Sequence, residues 1–231
     1  MLIAEIFHSI QGEGRLAGVP SVFVRTSGCN LRCRWCDTKY ASWDPEGEEL
    51  EIGEIVGSVG EFGWAHVVVT GGEPMVARGM HALCAALRRK GLHITLETAG
   101  TVTPEGIACD LASLSPKLSN STPVQGEIGE PWRDRHERDR WRPDVVREWI
   151  RNHPFQLKFV METAADLAEV EGLIAALGEQ VKPSDVLLMP QGIDLPTLAA
   201  RERELVDLCL RRGYRYCPRL HIALFGNRRG T

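Results

Sequence analysis

Gly28-Cys29-Asn30-Leu31-Arg32-Cys33-Arg34-Trp35-Cys36-Asp37-Thr38 sets three cysteines at C-x3-C-x2-C spacing. It follows Ser21-Val22-Phe23-Val24-Arg25-Thr26, whose β-branched and aromatic residues read as a central strand. The cysteines therefore hang on the loop at that strand's C-terminal end. Three thiolates this close can converge on one centre, and thiolate sulfur suits zinc or an iron–sulfur cluster. Either a His or Cys elsewhere in the chain supplies a fourth ligand, as in a zinc site, or one metal corner stays open for a small molecule.

The same layout repeats downstream. His66-Val67-Val68-Val69-Thr70 is a continuous apolar run typical of a parallel strand buried on both faces, and it ends in Gly71-Gly72-Glu73-Pro74. His93 to Glu97 runs into Thr98-Ala99-Gly100, Leu111 to Ser115 into Pro116-Lys117, and Val186 to Met189 into Pro190-Gln191-Gly192. Phe155 to Met161 and Tyr214 to Cys217 are further strands, and a short one over Leu2 to Phe7 precedes the turn Ser9-Ile10-Gln11-Gly12-Glu13-Gly14. Apolar residues at helical spacing mark helices over Ile52 to Phe62, Met80 to Arg89, Pro143 to Asn152, Leu167 to Leu177 and Leu195 to Arg212. This alternation makes an α/β chain of βα units around a parallel sheet. Counted from Ser21 the strands number about seven, short of the eight strands and ~250 residues of a closed barrel. The expectation is a partial, open βα barrel of about six to seven core strands, in one domain over residues 1–231. Loops at the C-terminal strand ends converge in such a barrel, so a site belongs there.

Two charged segments interrupt the rhythm. Asp44 to Glu49 reads as a solvated acidic turn. Residues 118–143, with the run Arg133-Asp134-Arg135-His136-Glu137-Arg138-Asp139-Arg140, read as a surface insertion holding at most a solvated helix, with a lid or partner contact as the sharper alternative. Lys158, amid apolar strand neighbours, needs an acidic or carbonyl partner and is either a core ion pair or a site residue.

A net charge of −4 provides no basic field for nucleic acid. No apolar run approaches the ~18 residues of a membrane span, and the N-terminus lacks the layout of a signal peptide, so a cytoplasmic location is expected. The cysteines number seven, an odd count, and Cys84, Cys109, Cys209 and Cys217 are scattered among apolar residues. That suits reduced thiols acting as small buried hydrophobes better than a disulfide framework.

With Trp35 in the aromatic place, the triad resembles the C-x3-C-x-aromatic-C motif of the radical S-adenosylmethionine (SAM) enzymes. The resemblance implies a 4Fe-4S cluster on Cys29, Cys33 and Cys36, with SAM on the open iron. Reduction would cleave SAM to methionine and a hydrogen-abstracting 5′-deoxyadenosyl radical. Gly71-Gly72-Glu73-Pro74 resembles the stretch that holds the methionine amino group: glycines let a cationic ligand approach, and a carboxylate accepts its ammonium hydrogens. By the same resemblance Gly72, Glu73, Ser115 and Gln191 line the SAM cavity, with Glu97 and Lys117 as further candidates. A structural pairing of Glu97 with Lys158 weighs equally. The glycine pair one strand beyond the cysteines argues against zinc.

Ser9 to Gly14, Gly18 to Arg25, Gly28 to Cys33 and Cys36-Asp37-Thr38 together are similar to the 7-carboxy-7-deazaguanine synthase family, and the likeness continues to His221. It implies conversion of 6-carboxy-5,6,7,8-tetrahydropterin to 7-carboxy-7-deazaguanine with loss of ammonia, on the route to queuosine and other deazapurines. It further implies substrate contacts from Gln11, Glu13, Arg25, Asp37 and His221, Mg2+ on the Thr38 hydroxyl, a homodimer, and an electron donor such as flavodoxin or ferredoxin. A pterin edge of amide and amino groups suits Gln11 and Glu13, and Arg25 suits an anionic or carbonyl group. The residues alone also allow Gln11 and Glu13 to tie their own loop, Arg25 to pair with Glu13, and Asp37 to cap its loop. Two features depart from the family: His221 follows Leu220 where a Thr is frequent, and the chain runs on through Arg228-Arg229-Gly230-Thr231. A glycyl-radical activase or a non-catalytic metal-binding module would leave the pocket residues or the loop motifs without a purpose.

Overall fold

The computed structural model describes residues 1–231. Its strands are β1 (Leu2–Ile10), β2 (Pro20–Thr26), β3 (Glu48–Glu49), β4 (His66–Gly71), β5 (His93–Thr98), β6 (Leu111–Leu114), β7 (Phe155–Met161), β8 (Val186–Pro190) and β9 (Arg215–Tyr216). They form one nine-stranded sheet in the order β3-β1-β2-β4-β5-β6-β7-β8-β9. β1 pairs antiparallel with β2 and β3, and every neighbour from β2 to β9 is parallel. β3 and β9 stay at opposite edges, so the sheet is open, with seven parallel strands as its core.

The helices are α1 (Lys39–Ser42), α2 (Ile52–Glu61), α3 (Met80–Arg89), α4 (Glu130–Asp139), α5 (Pro143–Asn152), α6 (Leu167–Leu177), α7 (Leu195–Arg212) and α8 (Leu220–Phe225). α7 shows why they begin and end where they do: the Asp194 carboxylate accepts the Thr197 N–H at its start, and Gly213 takes the left-handed conformation at its end.

Strand pleat divides the chemistry between two faces. Val67, Val69, Ile94, Leu96, Leu157 and Phe159 join the helix-side core, which is built around residues such as Trp149 and Leu83. Their sequence neighbours Val68, Glu97, Lys158 and Val160 point the other way and line a cavity. Both faces are covered, so the strands read as nearly continuous apolar runs interrupted only where a polar side chain serves the cavity.

Three differences from the sequence reading have physical causes. Glu48–Glu49 pairs with Leu2 and Ile3 through backbone alone, a contact without a composition signal, so the acidic turn is partly a strand. The last turn of chain forms α8, a six-residue helix too short for periodicity to show. The charged insertion does carry a helix, α4, but it is not merely solvated: His136 on it is fully buried. Cys84, Cys109, Cys209 and Cys217 are all buried free thiols, as expected. No helix is long and apolar enough to cross a membrane.

Candidate active site

A cavity of about 460 Å³ opens at the C-terminal ends of the parallel strands. Cys29, Cys33 and Cys36 line it, as do Gln11, Glu13, Arg25, Asp37, Thr38, Gly72, Glu97, Ser115, Lys117, Gln191 and His221. Elements far apart in sequence thus bring the three thiols and the polar groups into one space.

The cysteine loop is held mostly through backbone. Trp43 Nε1 donates to Cys33 O at 3.2 Å, and Leu31 N–H donates to Cys29 Sγ at 3.3 Å. Cys36 Sγ lies 3.1 Å from Ser42 Oγ and 3.7 Å from Thr38 Oγ1. Burial pushes the Cys29 and Cys33 thiols up to about 12, and their proximity to one another and to Cys36 adds to the rise. Three bare thiolates are disfavoured there, whereas thiolates neutralised by iron are suited to it, since a coordinating thiol gives up its proton outright. Three cysteines with no fourth protein ligand are a donor set that fits an iron–sulfur cluster with one open corner.

The glycine pair serves this loop as well as any ligand. A Cβ on Gly72 would meet Gly28 O at 2.3 Å, Ala41 O at 2.5 Å and Cys29 Cβ at 2.8 Å. Close approach of protein backbone therefore requires the glycine, where the sequence reading gave ligand access as the reason. Glu73 alone of the sequence candidates is absent from the cavity wall. It is 1% exposed, and its carboxylate accepts from Thr98 Oγ1 at 2.6 Å, Ala99 N–H at 2.7 Å and Met75 N–H at 3.1 Å. It ties the loops after β4 and β5 together. Ser115 and Lys117 face the cavity together, with Lys117 Nζ donating to Ser115 Oγ at 2.9 Å, and Gln191 accepts from Arg201.

A chain of alternating charges crosses the site. Lys158 Nζ donates to Glu97 Oε2 at 2.9 Å and to Glu13 Oε2 at 2.6 Å; Arg219 Nε donates to Glu13 Oε1 at 3.1 Å and its Nη2 to Asp37. Glu97 pairs with Lys158 and also lines the cavity. Burial alone would favour neutral Glu13, but Lys158 and then Arg219 overcome it and hold the carboxyl well below the usual range. Asp37 is likewise held low by Arg219 against its own burial. Both carboxylates in turn raise the Arg219 pKa. Arg25 does not pair with Glu13; its Nε donates to Glu5 at 2.6 Å, and Tyr40 OH donates to the same oxygen. His221 packs against Gly12, and burial pushes its pKa down. Thr38 sits at the N-cap of α1 but makes no capping hydrogen bond, leaving its hydroxyl to the cavity.

Residues 23–119 match the Radical SAM superfamily. The 7-carboxy-7-deazaguanine synthase of Rhodopirellula baltica is 46% identical to this chain, over 100% of it and 89% of the relative, and that of Halobacterium salinarum is 43% identical over 97% and 90%. The chain belongs to the 7-carboxy-7-deazaguanine synthase family. The fold agrees: the crystal structure of QueE from Escherichia coli superposes with a TM-score of 0.66 at 23% identity, over 94% of this chain and 92% of that one. As a member of the 7-carboxy-7-deazaguanine synthase family, the chain is a radical SAM enzyme of deazapurine biosynthesis, and the family implies a 4Fe-4S cluster and SAM. The activase and the non-catalytic module are thereby set aside.

Sequence reasoning missed Arg219, whose guanidinium links Glu13, Asp37 and the Gly192 carbonyl. Its signal was available: it follows the last strand, at the edge where the cysteine loop and the other loops after parallel strands lie. It missed His136 as well, because a histidine inside a charged run gives no sign of burial.

Proposed function

We propose that the chain converts 6-carboxy-5,6,7,8-tetrahydropterin to 7-carboxy-7-deazaguanine with loss of ammonia. The observation that carries this reading is a single cavity in which the three cysteines share the lining with an ionised Glu13, Gln11, Arg25 and Lys158. Each Glu13 oxygen already accepts one cationic donor and keeps a further lone pair, so the carboxylate can receive two ring N–H groups of a pterin. Gln11 Oε1 accepts the Glu13 N–H at 3.2 Å, which fixes the Gln11 amide beside that edge. Arg25 gives its Nε to Glu5, so its terminal nitrogens are left for the substrate carboxylate. Asp37 and His221 close the substrate space, and Gly72, Ser115 and Gln191 face the SAM side, with Glu73 buttressing it from behind.

When bound, the cluster on Cys29, Cys33 and Cys36 and its SAM supply an electron and a hydrogen-abstracting carbon radical. The work left to this chain is to orient the pterin and shield it from water. The Thr38 hydroxyl, which lines the cavity and makes no capping hydrogen bond, supports magnesium there, as a hard ion taking one protein oxygen with water and substrate for the rest. Family likeness further supports one domain acting as a cytoplasmic homodimer reduced by flavodoxin or ferredoxin.

Titration of the reconstituted, SAM-loaded protein with carboxytetrahydropterin, without reductant so that no turnover occurs, tests the substrate. We expect saturable binding, weakened at least about tenfold in Glu13→Gln by loss of one charge-assisted contact. Failure of the wild type to bind, or equal binding by the variant, would contradict the assignment.

A further inference from the structure

The charged stretch Arg133 to Arg140, which the reaction does not use, packs on the outer face of the cysteine loop. Arg32 N–H donates to His136 Nδ1 at 3.1 Å, and His136 Nε2 lies 2.9 Å from Ser121 Oγ. Ser121 Oγ donates to Leu118 O at 2.7 Å, and Arg34 N–H donates to Ser121 O at 2.9 Å. His136 and Ser121 are both fully buried. Because Nδ1 accepts, the ring proton sits on Nε2 and points at Ser121. Burial pushes the imidazole down to about 4, which keeps it neutral and able to accept. The Arg32 side chain closes the same face: its Nη1 donates to Cys29 O and Leu31 O at 2.8 Å each, and its guanidinium stacks 3.8 Å from the Trp132 ring centre. The loop and the insertion are thus one buried hydrogen-bonded unit.

This matters for a cluster on the other side of the loop. Backbone N–H groups next to ligating cysteines are natural donors to sulfur, and Leu31 N–H already points at Cys29 Sγ. Those of Arg32 and Arg34 are turned outward and spent on His136 and Ser121. Hydrogen bonds to cluster sulfur, and water near it, stabilise the more negative reduced state and raise the potential.

We propose that His136 is a positioning residue for the cluster. With Ser121 as its anchor, it keeps the Arg32 N–H off the cluster sulfurs and water off the loop, holding the cluster at a low reduction potential. The proposal rests on the family's 4Fe-4S cluster and is independent of which substrate the cavity takes.

Two readouts on His136→Ala test it. In the protein before cluster loading, exchange of the Arg32 amide should speed up at least ~10-fold. After anaerobic reconstitution, redox titration followed by electron paramagnetic resonance should show a more positive potential. His136→Gln, whose carboxamide can accept and donate at the same two points, should restore both. A wild-type potential in His136→Ala, with the Arg32 amide exposed, would reduce the unit to a structural clamp and overturn the proposal. So would a shift that His136→Gln does not reverse. If His136→Ala cannot retain iron, Ser121→Ala decides: a smaller positive shift supports the proposal, whereas a wild-type potential or loss of iron overturns it.

Discussion

Glu13 is charged because Lys158 and Arg219 make it so, and several consequences can be measured at single residues. Removing one member of a buried ion pair leaves the other uncompensated, at a cost of about 3–5 kcal/mol. Lys158→Met should therefore lose about that much stability, read by denaturant unfolding, because Glu97 loses its cationic partner and Glu13 is left with Arg219 alone. Arg219→Gln should raise the KM for the pterin while leaving iron content unchanged, since Arg219 touches Glu13 and Asp37 but no cysteine. The acid limb of stability follows from the same network. Glu13 and Asp37 are held below their unfolded values, so their contribution is complete above about pH 4.3 and is lost as pH falls toward the folded pKa. Unfolding followed from pH 7 to 3 should show that loss, and Glu13→Gln, weaker at pH 7, should have a shallower limb. Thr38→Ala should keep the cluster and lose the response to magnesium in turnover; an undiminished response would remove Thr38 from that role.

At the scale of elements, the loop after β4 and the cysteine loop after β2 pack backbone to backbone through Gly72. Gly72→Ala should displace the cysteine loop and lower iron incorporation on reconstitution, measured against Gly57→Ala on α2, where a Cβ meets nothing within 4 Å and where, as at Gly72, φ is not positive. The core elements were legible in the sequence because their signals are strong: the apolar run of β4, the periodicity of α3, and glycines or prolines at nearly every strand end. β3, α4 and α8 were not, for lack of an apolar period long enough to show. The same limit applied to the site. The cysteines, Glu13 and Lys158 were readable as types of chemistry, but the partners that tune them are set by tertiary contact. Arg25 pairing with Glu5 rather than Glu13, and His136 turning inward from a charged helix, depend on distances that spacing does not encode.

For the whole molecule, an open, mostly parallel sheet with antiparallel β1 next to the edge strand β3 gathers the loops after β2, β4, β5, β6 and β8 at one end, admits the turn after β1 with Gln11 and Glu13 from the other, and leaves the interior face free to carry charge. Glu97 on β5 and Lys158 on β7 point into that interior while their neighbours seal the helix-side core, so the fold and the polar wall come from one alternation. The central claim is that this wall presents a carboxylated pterin to the radical chemistry of the cysteine loop. The most direct test is anaerobic turnover of the reconstituted protein with SAM, dithionite, magnesium and 6-carboxy-5,6,7,8-tetrahydropterin, followed by mass spectrometry and an ammonia assay. The account predicts 7-carboxy-7-deazaguanine and ammonia in equal amounts, with neither formed by Cys33→Ala; SAM cleavage with the pterin recovered intact would contradict it.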